Sequence, residues 1–331
     1  MADLPLTLAC WTYDRTRALA DGSVKPEGIA LRMESAPQVG TIMERMVRER
    51  AYDASELGLT YYLRTLELTG APFIAIPVFP NRIFRHAAIF VNQARVAKPQ
   101  DLIGAKVGEL HRYGHDAGIW AKGILADEYG VPARSMTHVV GGLDQPDGRA
   151  DWAPFEPPAD VRIEPLPPGR GLDRMLETGE VAALFSAWLP PSFVRGAPNV
   201  ARLFPNYREV ERDWFRRTGI FPIMHTVVIR RELYEANRWI ARALMQAFEA
   251  AKARALAEFR AADTFMGTFV MVPWLSALVE ENHALLGADP WAYGLEPNRK
   301  AIETYLRYHA EQGLSKRRWA PEELFAPECL G

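Results

Sequence analysis

Four side chains capable of holding an anion or moving a proton fall into two stretches of the chain. Residues 80–92, PNRIFRHAAIFVN, pack Arg82, Arg85 and His86 into five positions and run straight into the apolar AAIFV. Residues 218–231, TGIFPIMHTVVIRR, put a single histidine, His225, at the mouth of the β-branched run TVVI. The planar fork of arginine matches a carboxylate, and an imidazole gains or loses its proton near neutral pH. Together these residue types suit a small acidic guest that is gripped by its carboxylate and exchanges protons with the protein. The plainer alternative is that the arginines are solvated turn charges and the histidines are bonded to backbone.

Positioning such groups is the task of the surrounding elements. AAIFV and TVVI read as short buried strands. They suit two crossings, where the chain leaves one lobe and returns to it with a cleft between. Elsewhere strand patterns alternate with helical ones. Residues 4–11 alternate as a strand and end in the polar TYDRTRAL, read as a loop; residues 29–33, 71–78, 136–140, 161–166 and 181–185 read as further strands. Ile42, Met43, Met46 and Val47 recur at helical spacing, and Trp239, Ile240, Leu244, Phe248 and Ala251 form one face of a long helix within 236–259. Residues 171–178 read as a helix closed by Gly179, and residues 274–286 and 297–312 as two more. Residues 141–159, rich in Gly, Pro and Asp, are the most loop-like part.

Alternating strands and helices predict an α/β chain with a mainly parallel sheet flanked by helices in each lobe. The first lobe is expected from residues 1–88 and 222–331, the second from 89–221. Ligands of such sheets sit beyond the C-terminal ends of strands, where helix N-termini point. That rule selects the loops at 13–15, 55–58, 82–86, 111–115 and 186–188, with 221–225 added by the return crossing. Candidate ligand contacts are Trp11, Tyr13, Asp14, Arg15, Phe84, His111, Tyr113, Ser186, Trp188 and Phe221, with Glu56 in a loop before a helix. His111 and His115 flank a glycine, a spacing a divalent metal tolerates, yet Asp116 is the only carboxylate close by in sequence.

Composition removes several classes. Apolar residues at 48% and charged residues at 24% are ordinary for a globular chain, and a net charge of −2 gives no electrostatic case for nucleic acid or an anionic membrane. Two cysteines, Cys10 and Cys329, make neither a disulfide framework nor a thiolate metal site. No serine sits in a GxSxG elbow, no GxGxxG follows a strand, and no Walker box occurs. The opening MADLPLTLAC lacks a basic segment and a long apolar run, so a cytoplasmic chain without leader or membrane span is expected. A homo-oligomer is expected as well.

Two segments, QDLIGAKVGE and LDRMLETGEVAALFSA, resemble parts of the type II periplasmic-binding-protein fold in their usual order. A closer resemblance is to the 4,5-dihydroxyphthalate decarboxylase family. It runs through ACWTYDRTRAL, PEGIAL, FRHAAIFVN, TGIFPIMHTVVIRREL, DPWAYGLEPNRKAIETYLRY and PEELFAP, nearly end to end. The resemblance implies a cytoplasmic aromatic-acid decarboxylase on a binding-protein fold, with no organic cofactor. For that chemistry Arg82 or Arg85 would anchor a carboxylate. His86 or His225 would exchange protons with a phenol or a ring carbon, and Glu56 would orient a histidine or bond a catechol. The rival readings are a solute-binding protein for a small carboxylate and a biosynthetic enzyme on the same fold that consumes its own histidine.

Overall fold

The structure is a computed structural model that describes residues 2–144, 152–153, 156–264 and 271–330. Of the loop-rich stretch 141–159, residues 145–151 and 154–155 lie outside the described residues. The chain begins with β1 (Leu4–Ala9), α1 (Asp14–Ala20), β2 (Ile29–Glu34), α2 (Val39–Glu49), β3 (Ala54–Gly58), α3 (Leu59–Leu66) and β4 (Phe73–Ile76). It crosses into β5 (Ile89–Asn92), β6 (Lys106–Leu110), α4 (Asp116–Tyr129), β7 (Thr137–Gly141), β8 (Arg162–Pro165), α5 (Leu172–Thr178), β9 (Ala183–Phe185), α6 (Pro191–Val194), β10 (Val200–Arg202) and α7 (Tyr207–Thr218). It then returns through β11 (His225–Arg230) to α8 (Arg231–Ala236), α9 (Trp239–Thr264), α10 (Leu275–Leu286) and α11 (Arg299–Glu311).

The strands form two sheets, one of five in the order β2-β1-β3-β11-β4 and one of six in the order β10-β5-β9-β6-β7-β8. The first draws on residues 4–76 and then 225–230, the second on residues 89–202. This is the two-lobed α/β architecture, but the sheets are mixed. β11 lies antiparallel to both β3 and β4, and β5 antiparallel to both β9 and β10. The antiparallel pairings have a simple cause. A strand that re-enters a sheet from the other lobe arrives from the opposite end, so the crossings run against their neighbours.

The two crossing segments meet. Arg82 and Ile223 form an isolated antiparallel bridge, the Ile83 N–H donates to Pro222 O at 3.2 Å, and the Met224 N–H donates to Asn81 O at 2.9 Å. His225 is thereby brought into register with Gly58 at the C-terminal end of β3.

Local chemistry accounts for most elements. Ile42, Met43 and Met46 bury the inner face of α2. α5 ends at Gly179, whose φ of 78° is the left-handed conformation that glycine adopts without a Cβ clash. Five elements escape the sequence pattern. TYDRTRAL is helix rather than loop: Tyr13 caps α1, and only Thr16, Ala18 and Leu19 are buried, too short a stripe to show a period. β10, α6, α7 and α8 are absent from the reading for the same reason. The long-helix face is right except at Trp239, which is 46% exposed. Residues 55–58 are strand, not loop, so Glu56 lies within β3.

The lobes are bound by α11, which packs on α4. The Tyr305 hydroxyl donates to Asp116 Oδ1 at 2.5 Å, the Tyr308 hydroxyl donates to Asp127 Oδ2 at 2.6 Å, and the Tyr308 ring meets Trp120 at 5.6 Å. A Cβ added to Gly123 on α4 would overlap the buried Tyr308 ring. Gly123→Ala should therefore destabilise the protein by about 1–3 kcal/mol through overpacking, although alanine is the better helix former. Urea unfolding monitored by far-ultraviolet circular dichroism measures this; a more stable variant would mean the α4–α11 contact is loose.

Candidate active site

Glu56 is the centre of the first lobe. Every residue of β3 is buried, and Glu56 is 0% exposed. A carboxylate there must be satisfied by protein donors. Oε1 accepts from the Tyr13 hydroxyl at 2.6 Å and lies 2.6 Å from His225 Nδ1. Oε2 accepts from the Trp11 backbone N–H at 2.9 Å and from the Cys10 thiol at 3.3 Å. Burial alone would raise the Glu56 pKa. The bonds from His225, Tyr13 and the Trp11 amide outweigh it and hold the group below the usual glutamate range. The same pairing and burial push the Tyr13 phenol and the Cys10 thiol well upward, so both stay protonated. A carboxylate only accepts, so the shared proton sits on His225 Nδ1 and the Nε2 lone pair is left for another partner.

Arg15 braces this group. Its guanidinium lies 4.1 Å from the Tyr13 ring centroid and 4.2 Å from that of Trp291. Its Nε donates to Pro80 O at 2.8 Å and its Nη1 to Asp14 Oδ1 at 3.0 Å. Trp11 meets Tyr13 edge to face at 5.8 Å. Thus Trp11, Tyr13, Asp14, Arg15, Glu56 and His225 form one connected group.

A second group surrounds a cavity of about 380 Å3 lined by Arg82, Phe84, Arg85, Ser186, Trp188, Arg202, Glu211 and Phe221 among others. Arg82 is committed: its Nη2 donates to Ala292 O at 2.7 Å and to Asn298 Oδ1. Arg85 differs. It is 7% exposed, its Nε meets only the Met224 sulfur at 3.2 Å, and no oxygen acceptor binds it among the described residues. Burial lowers its pKa to about 10, and Asp116 and Glu211 draw it back up, so it remains a cation at neutral pH. Phe84 and Phe221 stack at 4.8 Å and also line a larger, mostly apolar cavity of about 770 Å3 beside α9 and α10. Ser186 caps its own loop, with Trp188 N–H donating to its Oγ at 3.0 Å, while Trp188 is half exposed.

Three candidates stand apart. His86 is 1% exposed and packs against Phe204 and Trp214 at 5.5 and 5.7 Å; burial lowers its pKa to about 4. It lines neither of these cavities, as is also true of His225, and differs from His225 in having no carboxylate partner for its ring among the described residues. Tyr113 is also core rather than contact: it is 2% exposed, and its hydroxyl donates to Gln312 O at 3.2 Å. His111 is exposed at the end of β6 with a left-handed φ of 62°. Among the described residues no group of three or more His, Cys, Asp or Glu is placed to hold a metal ion.

Residues the sequence did not single out complete the seam between lobes. Asp116, at the start of α4, accepts the Thr60 N–H at 2.9 Å with Oδ1, and its Oδ2 lies 2.5 Å from where a Cβ on Gly58 would sit. In the sequence Asp116 stands out only as a carboxylate beside His111 and His115, with nothing to show that it meets β3. Behind it, Glu109 takes both 2.7 and 2.8 Å bonds from Lys122 Nζ, all of it buried.

No protein-family model matches the chain. A 4,5-dihydroxyphthalate decarboxylase of Comamonas testosteroni is 37% identical across 100% of this chain and 98% of its own length. A second protein of that name, from Pseudomonas putida, is 34% identical across 65% of this chain and 83% of its own. In fold the chain is similar to the periplasmic aliphatic sulphonate binding protein SsuA of Escherichia coli (TM-score 0.52, 13% identity, 99% of each chain). It is equally similar to the ligand-binding component of an import system of Staphylococcus aureus (TM-score 0.53, 10% identity, 99% of this chain and 98% of that one). At such identities the likeness is one of fold alone.

Glu211 supplies a pH test of the cavity. Its Oε1 accepts the Ala87 N–H at 3.0 Å, yet burial raises its pKa to about 7. A raised folded pKa means its contribution is fully present below the unfolded value, near about 4.3, and is lost as pH rises to the folded value. The parent should lose on the order of a few kcal/mol of stability between about pH 4.5 and 7 from this group. Glu211→Gln, which keeps the acceptor, should remove that loss. Denaturant midpoints taken across the range would detect it; identical slopes would place Glu211 in water.

Proposed function

The chain belongs to the 4,5-dihydroxyphthalate decarboxylase family, and we propose that it removes carbon dioxide from 4,5-dihydroxyphthalate using its own side chains. The observation that carries this reading is 37% identity to a relative of that name along the whole chain. The reaction is a carboxy-lyase step. The bond between the ring and one carboxylate breaks, its electron pair stays with the ring, carbon dioxide leaves, and the ring carbon takes a proton. One proton is consumed and nothing is oxidised or reduced. The hydroxyl para to the departing carboxylate feeds electron density to that carbon, more so as it gives up its proton.

The side chains of the two groups suit these steps. Arg85 is a buried cation without an oxygen partner among the described residues, so a carboxylate fills an unmet need there. His225 is the proton-transfer group, its tautomer and direction fixed by Glu56. Tyr13 and Arg15 hold Glu56 in place rather than touching substrate. Arg82 is a strut of the crossing. Closure of the lobes over a substrate would exclude water and strengthen the charge contacts.

Incubation of the purified protein with 4,5-dihydroxyphthalate should release carbon dioxide and one dihydroxybenzoate per turnover, before and after dialysis against EDTA. Loss of activity on dialysis, restored by a divalent metal, would overturn the cofactor-free reading. No release in either state would overturn the substrate. His225→Gln should lower kcat by about 10²–10⁴-fold, and Arg85→Lys should raise KM more than it lowers kcat. Near-parental turnover in His225→Gln would remove histidine from the proton transfer.

A further inference from the structure

The second lobe carries a histidine–carboxylate pair that faces the same seam. Glu109, on β6, is 0% exposed, as Glu56 is on β3. His115 caps the N-terminus of α4, and its Nδ1 lies 3.3 Å from Arg112 O and 3.5 Å from Glu109 Oε1. Both neighbours are acceptors, so the ring proton belongs on Nδ1. Nε2 is buried and has no hydrogen-bond partner among the described residues. His225 has the same tautomer for the same reason, with Nδ1 on Glu56.

A chain of contacts across the seam links the segments that carry the two. The residue after His115 is Asp116, whose carboxylate rests on Gly58 and takes the Thr60 N–H. Gly58 is the register partner of His225. Space for the His115 ring is kept by Gly118: a Cβ there would lie 2.9 Å from His115 Cε1 and 2.5 Å from Glu109 Oε1. The pair is also electrically settled. Lys122 neutralises Glu109, the Gly114 N–H donates to the same carboxylate at 2.8 Å, and His138 Nδ1 approaches its other oxygen at 3.2 Å from β7. Glu109 is therefore held well below the usual glutamate range: burial opposes this, and the Lys122 charge with the two histidines outweighs it.

Decarboxylation of a dihydroxylated ring needs a proton taken from a phenol and a proton given to a ring carbon. One imidazole placed at one lobe serves one of these positions. We propose that His115, aimed by Glu109, is the second proton-transfer residue of the reaction, acting from the lobe opposite His225. The inference rests on the decarboxylase reading for its chemistry but on the Glu109–His115 geometry for its location. Around this ring the charged and titratable groups are Glu109 from β6, His138 from β7, Lys122 and Asp116 from α4, and Arg112 from the intervening loop.

The test pairs kinetics with a binding readout that needs no turnover. His115→Gln should lower kcat for 4,5-dihydroxyphthalate by about 10²-fold or more. KM should stay within about threefold, the melting temperature should be unchanged, and one limb of the pH–rate profile should flatten. In the parent labelled with 15N-histidine, phthalate, which lacks the hydroxyls, should move the Nε2 resonance that His115→Gln deletes. Unchanged kcat and pH profile in His115→Gln, or an Nε2 signal indifferent to phthalate, would overturn the proposal. If His115→Gln does not fold, His115→Asn takes its place and the parent's resonance still decides. A parent that releases no carbon dioxide but whose His115 signal responds to phthalate would defeat the substrate assignment and leave the location of the site standing.

Discussion

An ionised carboxylate at the centre of a sheet is the constraint on which the first lobe turns. Removing such a group from water costs several kcal/mol even after relaxation, and hydrogen bonds to a charged group each return about 1.5–3 kcal/mol. Glu56 therefore cannot tolerate the loss of many donors. Those donors come from different strands: Cys10, Trp11 and Tyr13 follow β1, and His225 opens β11, while Glu56 itself is on β3. The order β1-β3-β11 is what lets all of them reach one side chain. A return strand entered parallel, or added beyond β4, would leave the carboxylate without its imidazole. The antiparallel insertion of β11 is thus tied to the chemistry as well as to the topology.

The seam between lobes follows a related logic with a different solution. Glu109 is as deeply buried as Glu56, but its charge is offset by a cation, Lys122, rather than by neutral donors alone. Close approach is secured by omission of side chains. Gly58 and Gly118 stand where a methyl group would strike Asp116, Glu109 or His115. Both glycines have backbone angles open to any residue, so what selects them is the distance between facing groups rather than backbone freedom. Asp116 then joins the lobes through Thr60 and Tyr305, bonds that break if the lobes part. Closure and the placing of polar groups are one event.

The sequence made the architecture readable because strand and helix patterns here are long or strongly apolar. β1, β9, β11, α2 and α9 all announce themselves, and so does the glycine stop of α5. It also located His225, since a histidine at the mouth of a β-branched run is visible in one dimension. What it concealed was direction. Arg82, Arg85 and His86 look equivalent in a row of five residues, yet one is tied to Asn298, one faces a cavity, and one is walled in by Phe204 and Trp214. The aromatic wall comes from α7 and the residues before it, the very part whose helix was not read. Glu56 was found but placed in a loop, because a short strand with a serine and a glutamate does not look buried. His115 and Asp116 read only as loop neighbours with a metal-tolerant spacing, because one dimension does not show that they lie on the seam.

The contrast between Arg82 and Arg85 bears on how such a fold can do more than hold a guest. Arg82 spends its Nη2 on Ala292 and Asn298, which fixes the crossing whether or not anything is bound, while its buried Nε has no partner among the described residues. Arg85 has almost nothing to spend them on, and a buried cation with unfilled donors is unfavourable for the empty protein. That cost is reduced by the attraction of Asp116 and Glu211. Glu211, poised to ionise at about pH 7, is the adjustable member. A negative guest disfavours a neighbouring anion, so a carboxylate arriving at Arg85 pushes Glu211 toward its neutral form. The cavity can then accept a charge without accumulating one.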